Sequence, residues 1–589
     1  MNEQSLFERF NVSPLLNSLA DRIAMSETQK VPFQIFLQHL NGSVPAFVLQ
    51  TIFTHEKTNQ WNHIVVLNDA EEAAYFFNSI ESVTEAMDLF YFPSSFKTPH
   101  NFNFLNPSHV MLRTEALTKI SMGGNKKIIV TYPEALFEKV ILPKTLQKNI
   151  IQIKTNDSID LNAMMQQFID YGFERTDFVY EPGQFALRGG IFDIYSFGNE
   201  KPYRIELFGE EVDSIRLFDP ATQLSERKLL QVNIIPNVTT QFEDTEKIPL
   251  IEFMNSNTIL WVKDWNVIKQ RGMDQWESLN DFLTHTANNK PIELGDAHIK
   301  HTQLDDFDTV ENAEASLLNS TIIEWGFQAN IAKEVISFNT QVQPSFNRQF
   351  QLLIANLQEL EKKGYALFIF AEQAKQLERL HAIFTDLKTE IQFTPVVKNI
   401  HEGFIDHDHK IVCYTDHQIF QRYHKYKVKQ AYSKSKAITL RTLRDMQPGD
   451  YVTHIDHGVG VYSGLQKIDV NGLMQEAVRI IYKDSDILYV NINSLHKISK
   501  YTGKEGAPPK INKLGSDAWV KLKDKTKAKV KEIAFDLIKL YAQRKAQAGF
   551  AFTPDNYMQY ELEASFIYEE TLDQAKAIAD VKKDMETPS

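Results

Sequence analysis

The strongest constraint on the fold lies in residues 186–220, which read ALRGGIFDIYSFGNEKPYRIELFGEEVDSIRLFDP. Apolar and polar residues alternate in three short segments, and the turn sequences GNEKP and GEE separate them. A period of two predicts strands with one buried face, and short turns between strands predict antiparallel neighbours. We therefore expect an antiparallel meander over these residues.

Two segments near the N-terminus predict a second kind of sheet. HIVVLND at 63–69 and KKIIVTY at 126–132 are short β-branched runs, and a helical pattern follows each. Such runs are typical of buried parallel strands in an α/β domain. Upstream, Gly42 and Ser43 lie where such a sheet places a phosphate-binding loop, but they lead into Val44-Pro45 without the required lysine. No GxxxxGK[ST] sequence occurs in the 589 residues, so we expect a degenerate domain without a nucleotide loop.

Composition sets the broad class of protein. With 43% hydrophobic and 24% charged residues, the chain is expected to be soluble and globular, with about three to six domains. The N-terminal sequence MNEQSLFERF lacks a signal-peptide core, and no apolar run reaches the roughly 18 uncharged residues of a membrane span. We therefore expect a cytoplasmic protein. Cys413 is the only cysteine, which excludes an internal disulfide, and its apolar surroundings predict a buried structural thiol.

Charge is distributed unevenly along the chain. The net charge is −13, yet residues 497–547 hold fourteen Lys and Arg against five Asp and Glu. This basic segment could lie on nucleic-acid phosphate or on an acidic protein surface, or it could be a solvated helix. After the connector GKEGAPPKINKLG, apolar residues recur at helical spacing from Trp519 to Tyr541. Ser516 or Asp517 can cap the N-terminus of this predicted helix. The pattern predicts a helix over 516–547 of about 48 Å.

Residues 446–501 alternate as several short strands that glycines punctuate, which is typical of a small Tudor-like β-barrel. His454, Asp456 and His457 could be mistaken for a metal or acid–base site. On one continuous strand, positions 454 and 456 share a face and 457 takes the other, so we expect turn chemistry instead.

The segments RGGIFDIY and YRIELFGEEVDSIRLFD resemble the module shared by the excision-repair protein UvrB and the bacterial transcription-repair coupling factors. The missing phosphate loop and the lack of a long tyrosine-rich hairpin favour the coupling-factor family. In that family an inserted domain binds UvrA, and the matching residues here are Arg175, Arg188 and Phe192. Two structural alternatives stay open: Arg188 pairs with a neighbouring acid, and Phe192 is a core residue of its strand.

PGDYVTHIDHGVGVYSG resembles the RNA-polymerase-interacting domain of the same family and of CarD-type regulators. The resemblance implies that one strand edge pairs with an extended segment of the RNA polymerase β subunit. The matching contact residues are Lys467, Ile468 and Asp469. The alternative is that Ile468 points into the barrel.

The C-terminal sequence ASFIYEETLDQAKAI is similar to the lead-in of the family's superfamily 2 translocase. Gln574 would contact adenine, because its amide both donates and accepts hydrogen bonds. We expect the chain to stop before the Walker A sequence, so that it binds partners but does not hydrolyse ATP. The complete protein would use ATP and Mg²⁺ to translocate on double-stranded DNA, displace stalled RNA polymerase and recruit UvrA. The alternatives are a CarD-like transcription regulator and a non-catalytic DNA-binding scaffold.

The expected fold class is multidomain α/β. The resemblance implies a UvrB-like domain 1a at 1–115, an inserted UvrA-binding domain at 116–200, domain 1b at 201–315, a non-catalytic α/β domain at 316–438, a CarD-like domain at 439–502, a connector and relay helix at 503–547, and the start of the translocase at 548–589.

Four histidines of the non-catalytic domain invite a metal hypothesis. His401, His407, His409 and His417 lie near three aspartates in the sequence. The run DHDH before a strand is better explained as a polar turn with satisfied surface histidines, and we expect no metal.

Overall fold

The computed structural model describes most of the chain. The described residues are 4–29, 31–84, 86, 88–176, 178–199, 201–220, 223–239, 246–254, 257–287, 301–346, 349–422, 424, 449–454, 456–470, 473–491, 498–501, 509, 511–515, 518–546, 549–564, 566, 568 and 570–588. The chain divides into two compact units, Met1–Tyr432 with Asp555–Thr571, and Ser433–Pro554 with Leu572–Ser589.

The helices of the described residues are α1 (Gln4–Asn11), α2 (Pro14–Gln29), α3 (Val44–Thr54), α4 (Ala70–Val83), α5 (Pro107–Ser121), α6 (Pro133–Leu136), α7 (Pro143–Lys148), α8 (Leu161–Asp170), α9 (Leu250–Phe253), α10 (Trp265–Ala287), α11 (Val310–Leu318), α12 (Phe350–Lys362), α13 (Ala374–Asp386), α14 (Asp416–Phe420), α15 (Ala518–Ala546), α16 (Tyr557–Ala564) and α17 (Leu572–Met585). Within this described part of the chain, none of the helices combines the length and apolar character that crossing a bilayer requires.

The strands are β1 (Gln34–Gln38), β2 (Asn62–Val66), β3 (Leu89–Tyr91), β4 (Phe96–Thr98), β5 (Asn101–Leu105), β6 (Ile128–Thr131), β7 (Val140–Ile141), β8 (Ile151–Lys154), β9 (Glu174–Arg175), β10 (Gln184–Arg188), β11 (Ile191–Ile194), β12 (Tyr203–Phe208), β13 (Glu211–Phe218), β14 (Ser225–Leu229), β15 (Gln231–Ile234), β16 (Lys247–Ile248), β17 (Thr258–Lys263), β18 (Thr321–Trp325), β19 (Glu334–Ser337), β20 (Thr340–Val342), β21 (Ala366–Ala371), β22 (Thr394–Val397), β23 (Phe404–Asp406), β24 (Ile411–Thr415), β25 (Tyr451–His454), β26 (Gly458–Val470), β27 (Leu473–Ile481), β28 (Ile487–Asn491) and β29 (Ile498–Lys500).

The first unit is built around a seven-stranded sheet. Its strand order is β19-β1-β18-β17-β2-β6-β3, and every neighbouring pair is parallel. The predicted parallel pair, β2 and β6, is confirmed, and both strands are buried along their whole length. Burial on both sides explains why these strands are continuous apolar runs.

The predicted meander is confirmed as part of a six-stranded sheet of order β14-β13-β12-β11-β10-β9. The pairs from β10 to β14 are antiparallel, and β9 joins β10 in parallel. One face packs Phe185, Phe192 and Ile205 against helix α8, which contributes Phe168. The other face carries charged side chains.

A third sheet has the order β20-β23-β24-β21-β22, and helices α12 and α13 belong to the same α/β domain. Strand β21 pairs in parallel with β22 and β24, whereas β23 runs antiparallel to β24. Phe47 of helix α3 meets Phe404 of this sheet, with ring centroids 5.4 Å apart. A single apolar core therefore runs from the first sheet into the third.

The predicted domain limits differ from the sheet organisation at three points. The limit at 115/116 falls inside helix α5, and the limit at 200/201 falls between the paired strands β11 and β12. The limit at 315/316 separates β18 and β19 from the seven-stranded sheet, although β18 lies between β1 and β17. These strands return to the first sheet from far along the chain, which no local pattern indicates.

The second unit contains a five-stranded antiparallel sheet of order β28-β27-β26-β25-β29. Its small core includes Val452, Tyr462 and Ile480. The predicted long helix is confirmed as α15, which spans 29 residues and therefore about 44 Å. Its predicted caps, Ser516 and Asp517, lie outside the described residues.

Candidate binding surfaces

The polar face of the six-stranded sheet holds a cluster of two arginines on one carboxylate. Asp193 in β11 is fully buried and lies directly opposite Arg204 in β12. Arg204 donates from Nε to Oδ1 at 2.8 Å and from Nη2 to Oδ2 at 2.9 Å. Arg188, at the end of β10, donates to the same carboxylate. Two guanidinium groups on one carboxylate leave a net positive charge at this face.

Arg188 is both paired and accessible. The predicted alternative of an acid partner is correct, because Asp193 is that partner. The side chain nevertheless keeps 32% of its surface exposed, and its guanidinium lies over the Phe178 ring, 4.2 Å from the centroid. The carboxylate and the ring together fix the orientation of the guanidinium, which lowers the entropy cost of a further contact.

Phe192 does not belong to this accessible surface. It has no exposed surface and stacks on Phe168 of α8, with centroids 5.6 Å apart and an interplanar angle of 17°. The expectation that Phe192 contacts a partner is therefore corrected to its structural alternative, a core residue. Its neighbour Asp193 points to the opposite face, as the strand period requires.

Arg175 is exposed on the short edge strand β9. Its register partner is Phe185, which belongs to the core face, so the register does not place Arg175 on the face of Arg188. The sequence prediction missed Arg204 and Phe178. Cross-strand pairing in the predicted meander could have indicated Arg204, because period-two registration puts it opposite Asp193.

Basic residues continue across the polar face of the same sheet. Arg204 lies opposite Arg216 in β13, and Arg216 lies opposite Lys228 in β14. Arg216 is one-third exposed and pairs with Glu206 at 3.1 Å, whereas Lys228 is exposed. The face therefore presents a row of cations suited to an acidic partner surface.

The proposed polymerase contacts lie on the second half of strand β26. Lys467, Ile468 and Asp469 pair with Glu476, Gln475 and Met474 of β27. On the other side of β26, strand β25 pairs only with the first half, ending at Val461. Among the described strands, nothing pairs with that side of residues 465–470. The side chains of 467–469 lie outside the described residues, so the direction of Ile468 stays a prediction.

His454 and His457, for which we expect turn chemistry instead of a metal or acid–base site, lie at the turn between β25 and β26. The amide of Asp456 donates to Nδ1 of His454 at 3.1 Å, which is the predicted turn chemistry. The rings of His454 and His457 stack, with centroids 4.8 Å apart, so the expectation that these side chains do not converge is wrong for this pair. The chain reverses here, and the rule of alternating faces applies only within one strand.

The position of the missing phosphate loop is filled by the chain itself. The amide of Ser43, which precedes helix α3, donates to the carbonyl of Glu402 at 3.1 Å. In return, the amide of Glu402 donates to the Ser43 hydroxyl at 3.0 Å. Gly42 has φ +59°, and a Cβ there would lie 2.7 Å from the Gly403 carbonyl oxygen. The residues at this position therefore do not fit a nucleotide phosphate.

The histidines around residue 410 each have a defined environment. His409 pairs with Asp406 at 2.7 Å, and Asp406 also accepts the amides of Asp408 and His409, which confirms the polar turn. His407 lies 2.7 Å from the Tyr365 hydroxyl. The part of the chain that the structure describes contains no group of three or more His, Cys, Asp or Glu placed to hold a metal ion.

The interpretation as surface histidines is wrong for His417, whereas His401 is partly buried. His417 is buried and donates from Nε2 to the His401 carbonyl at 2.8 Å. His401 stacks on Tyr75 of α4 at 3.8 Å, and His417 stacks on His424 at 4.1 Å. Burial lowers the pKa of His401 and His417 to about 4 and that of His424 to about 3. These rings are therefore neutral, structural groups at neutral pH.

Two further predicted contacts lie in the second unit. Gln574 is exposed in the first turn of helix α17. The basic helix α15 exposes lysines together with apolar residues: Leu522, Val530, Ile533, Phe535, Leu537, Ile538, Leu540 and Tyr541 are each more than half exposed. Its apolar residues surround the helix instead of forming one narrow stripe.

Comparisons with known proteins identify two domains in this chain. Residues 151–239 match the UvrB interaction domain, and residues 446–502 match the CarD-like/TRCF RID domain. The first match covers the six-stranded sheet together with β8, α8 and β15, and the second covers the five-stranded sheet.

Curated relatives match nearly the whole chain. The transcription-repair-coupling factor of Bacillus subtilis (strain 168) is 28% identical over 93% of this chain and 52% of the relative. Those of Staphylococcus aureus (strain Mu50) and Staphylococcus epidermidis are 25% and 26% identical over 90% and 89% of this chain. The chain spans about half the length of the curated relatives it matches. It is thus a chain with a UvrB interaction domain and a CarD-like/TRCF RID domain, similar over about nine tenths of its length to transcription-repair-coupling factors.

Proposed function

We propose that this chain supplies the UvrA-binding and RNA-polymerase-binding modules of a protein of transcription-coupled nucleotide excision repair. The observation that carries the proposal is the presence of both matched domains, in this order, in one chain. A CarD-like regulator would need only the second domain, and a DNA-binding scaffold would need neither.

The complete protein would be an ATP-dependent translocase on double-stranded DNA that displaces stalled RNA polymerase and recruits UvrA. The names of the curated relatives support this proposal. ATP and Mg²⁺ would serve that motor. Gln574 of helix α17 is the proposed adenine contact, and helix α17 would belong to the start of the motor domain. Because no Walker A sequence occurs in these 589 residues, this chain alone would bind partners without hydrolysing ATP.

We propose that UvrA binds to the polar face of the six-stranded sheet, around Arg188. Arg188 is one-third exposed and is oriented by Asp193 and Phe178, and Arg204 adds a second positive charge beside it. Arg175 would make a separate contact at the edge of the sheet. Phe192 would support the surface from the core side. The inserted domain would then comprise residues 151–239 instead of 116–200.

For the RNA polymerase β subunit, we propose strand addition to the second half of β26. Residues 467–469 lie where β26 is paired only with β27 among the described strands, so their outer backbone groups can accept an extended segment. Closure of the five-stranded sheet into a Tudor-like barrel is part of this proposal.

The UvrA contact is tested by measuring binding of the chain to purified UvrA. We expect Arg188→Ala to weaken binding by about tenfold or more, because loss of a charge-assisted contact typically costs 1.5–3 kcal/mol. Lys154→Ala is the matched control, since Lys154 is an exposed cation of the same domain on strand β8. Equal binding by the wild type and both variants would contradict the proposed surface.

The polymerase contact is tested by binding to core RNA polymerase at two salt concentrations. We expect Ile468→Arg to abolish binding, because the substitution puts a charge into the edge that must pair. Ile487→Arg is the control: Ile487 is a partly exposed isoleucine on β28, at the opposite edge of the sheet. Loss of binding in both variants would indicate damage to the fold. If neither variant loses binding, the proposal that the edge of β26 contacts the polymerase is refuted.

A further inference from the structure

The third sheet domain buries an arginine whose ion-pair partners come from far along the chain. Arg379 of helix α13 has only 3% of its side chain exposed. Its Nη2 lies 2.8 Å from Glu563 Oε2 and donates to Glu570 Oε1 at 2.9 Å. Gln373, the N-cap of α13, donates from Nε2 to the backbone carbonyl of Glu570 at 3.2 Å. Residues 555–571 belong to the same compact unit as this domain.

The charges of the domain explain why an acidic segment fits there. Arg422 donates to the buried Asp416, so this second guanidinium already has its own carboxylate. Arg379, the first of the two buried guanidinium groups, is instead paired with the carboxylates of Glu563 and Glu570. A buried cation without a carboxylate is strongly unfavourable, whereas Glu563 and Glu570 supply two.

The helix that Arg379 holds is short. Helix α16 spans eight residues, Tyr557–Ala564, and it packs on α13. An isolated helix of this length is unstable in water, because nucleation costs more than so few hydrogen bonds return. The helical state of residues 557–564 therefore depends on docking, and its backbone protection reports whether the segment is bound.

We propose that Arg379 and Gln373 form a docking site for an acidic helical segment on the non-catalytic α/β domain, and that residues 557–570 of this chain are its occupant. The site lies at the carboxyl end of β21, the edge where α/β sheets place their ligands. Here the ligand is part of the chain, directly before the helix that carries Gln574. The proposal gives the α/β domain a role that does not depend on binding UvrA or polymerase.

Hydrogen–deuterium exchange of the full 589-residue chain tests the site. In Arg379→Gln we expect the amides of 557–564 to exchange at least tenfold faster, while those of β21 and β24 keep their protection. Lys375→Gln is the matched control, because it removes a cation one turn earlier on the same helix and should change nothing.

A second variant, Glu563→Gln with Glu570→Gln, leaves the domain itself untouched. We expect the same loss of protection in 557–564 as in Arg379→Gln. If 557–564 stays protected in this double variant, the ion pairs do not hold the segment, and the proposal is overturned. The double variant tests the ion pairs even if Arg379→Gln also lowers the protection of β21 and β24, because it changes no residue of the α/β domain.

Discussion

Replacing Gly42 by alanine tests whether the close contact of residues 42–43 with residues 402–403 stabilises the packing between the first and the third sheet. Gly42 has φ +59°, a region that costs an L-residue about 1–2 kcal/mol. The new Cβ would also lie 2.7 Å from the Gly403 carbonyl oxygen and 3.3 Å from that of Glu402. Ser43 holds Glu402 by two hydrogen bonds, and the amide of Gln343 donates to the Gly403 carbonyl at 3.0 Å, so neither oxygen can move aside cheaply.

The expected loss of stability has two parts. Forcing an extra carbon into packed backbone typically costs about 1–3 kcal/mol, which adds to the conformational cost for a total of about 2–5 kcal/mol. Urea unfolding followed by tryptophan fluorescence measures this loss, because Trp61, Trp261, Trp265 and Trp325 all belong to the core of the first sheet.

Gly209→Ala separates the two parts. Gly209 has φ +67° in the turn between β12 and β13, and nothing lies within 4 Å of its added Cβ. This variant should therefore lose only the conformational term, about 1–2 kcal/mol. If Gly42→Ala and Gly209→Ala lose the same stability, the close approach of residues 402–403 contributes nothing and the reasoning fails.

Three further predictions concern titration, reactivity and catalysis. Because burial lowers the pKa of His417 from 6.5 to about 4, its stabilising contribution is complete above pH 6.5 and is lost as the pH falls toward 4. The free energy of unfolding measured by urea titration should therefore be lower at pH 5 than at pH 7.5, by about 2 kcal/mol for this histidine, and His417→Gln should reduce the difference. Burial raises the pKa of the Cys413 thiol, so iodoacetamide should label it only on unfolding, and rapid labelling of the native chain would contradict its buried position. The chain should show no ATP hydrolysis above background, and turnover that Gln574→Ala abolishes would refute the proposed division between this chain and its motor.

Local patterns predicted those parts of the fold that depend on neighbouring residues. The meander from β10 to β13 follows from a period of two with short turns, and helix α15 follows from helical spacing. The predicted limit at 315/316 separates strands β18 and β19 from their sheet, because they pair with β1, which lies almost 300 residues earlier.

The binding surfaces show the same division. Alternation says that Phe192 and Asp193 point to opposite faces, but only the position of α8 decides which face is the core. The pairing of Arg379 with Glu563 joins residues nearly 200 positions apart, and nothing in either local sequence indicates it. The sequence thus indicates which side chains could bind a partner. Which of them are accessible, and which residues they pair with, is visible only in the folded chain.

The apolar core that runs from the first sheet into the third has a consequence for folding. Phe47 of α3 contacts Phe370 and Phe404, so neither sheet completes its core alone. A chain cut between them would expose aromatic surface that water destabilises, and it would be prone to aggregate. The two sheets should therefore unfold in a single cooperative transition. In evolution they would be inherited as a pair, and the UvrB interaction domain or the CarD-like/TRCF RID domain could be exchanged more easily than the two sheets could be separated.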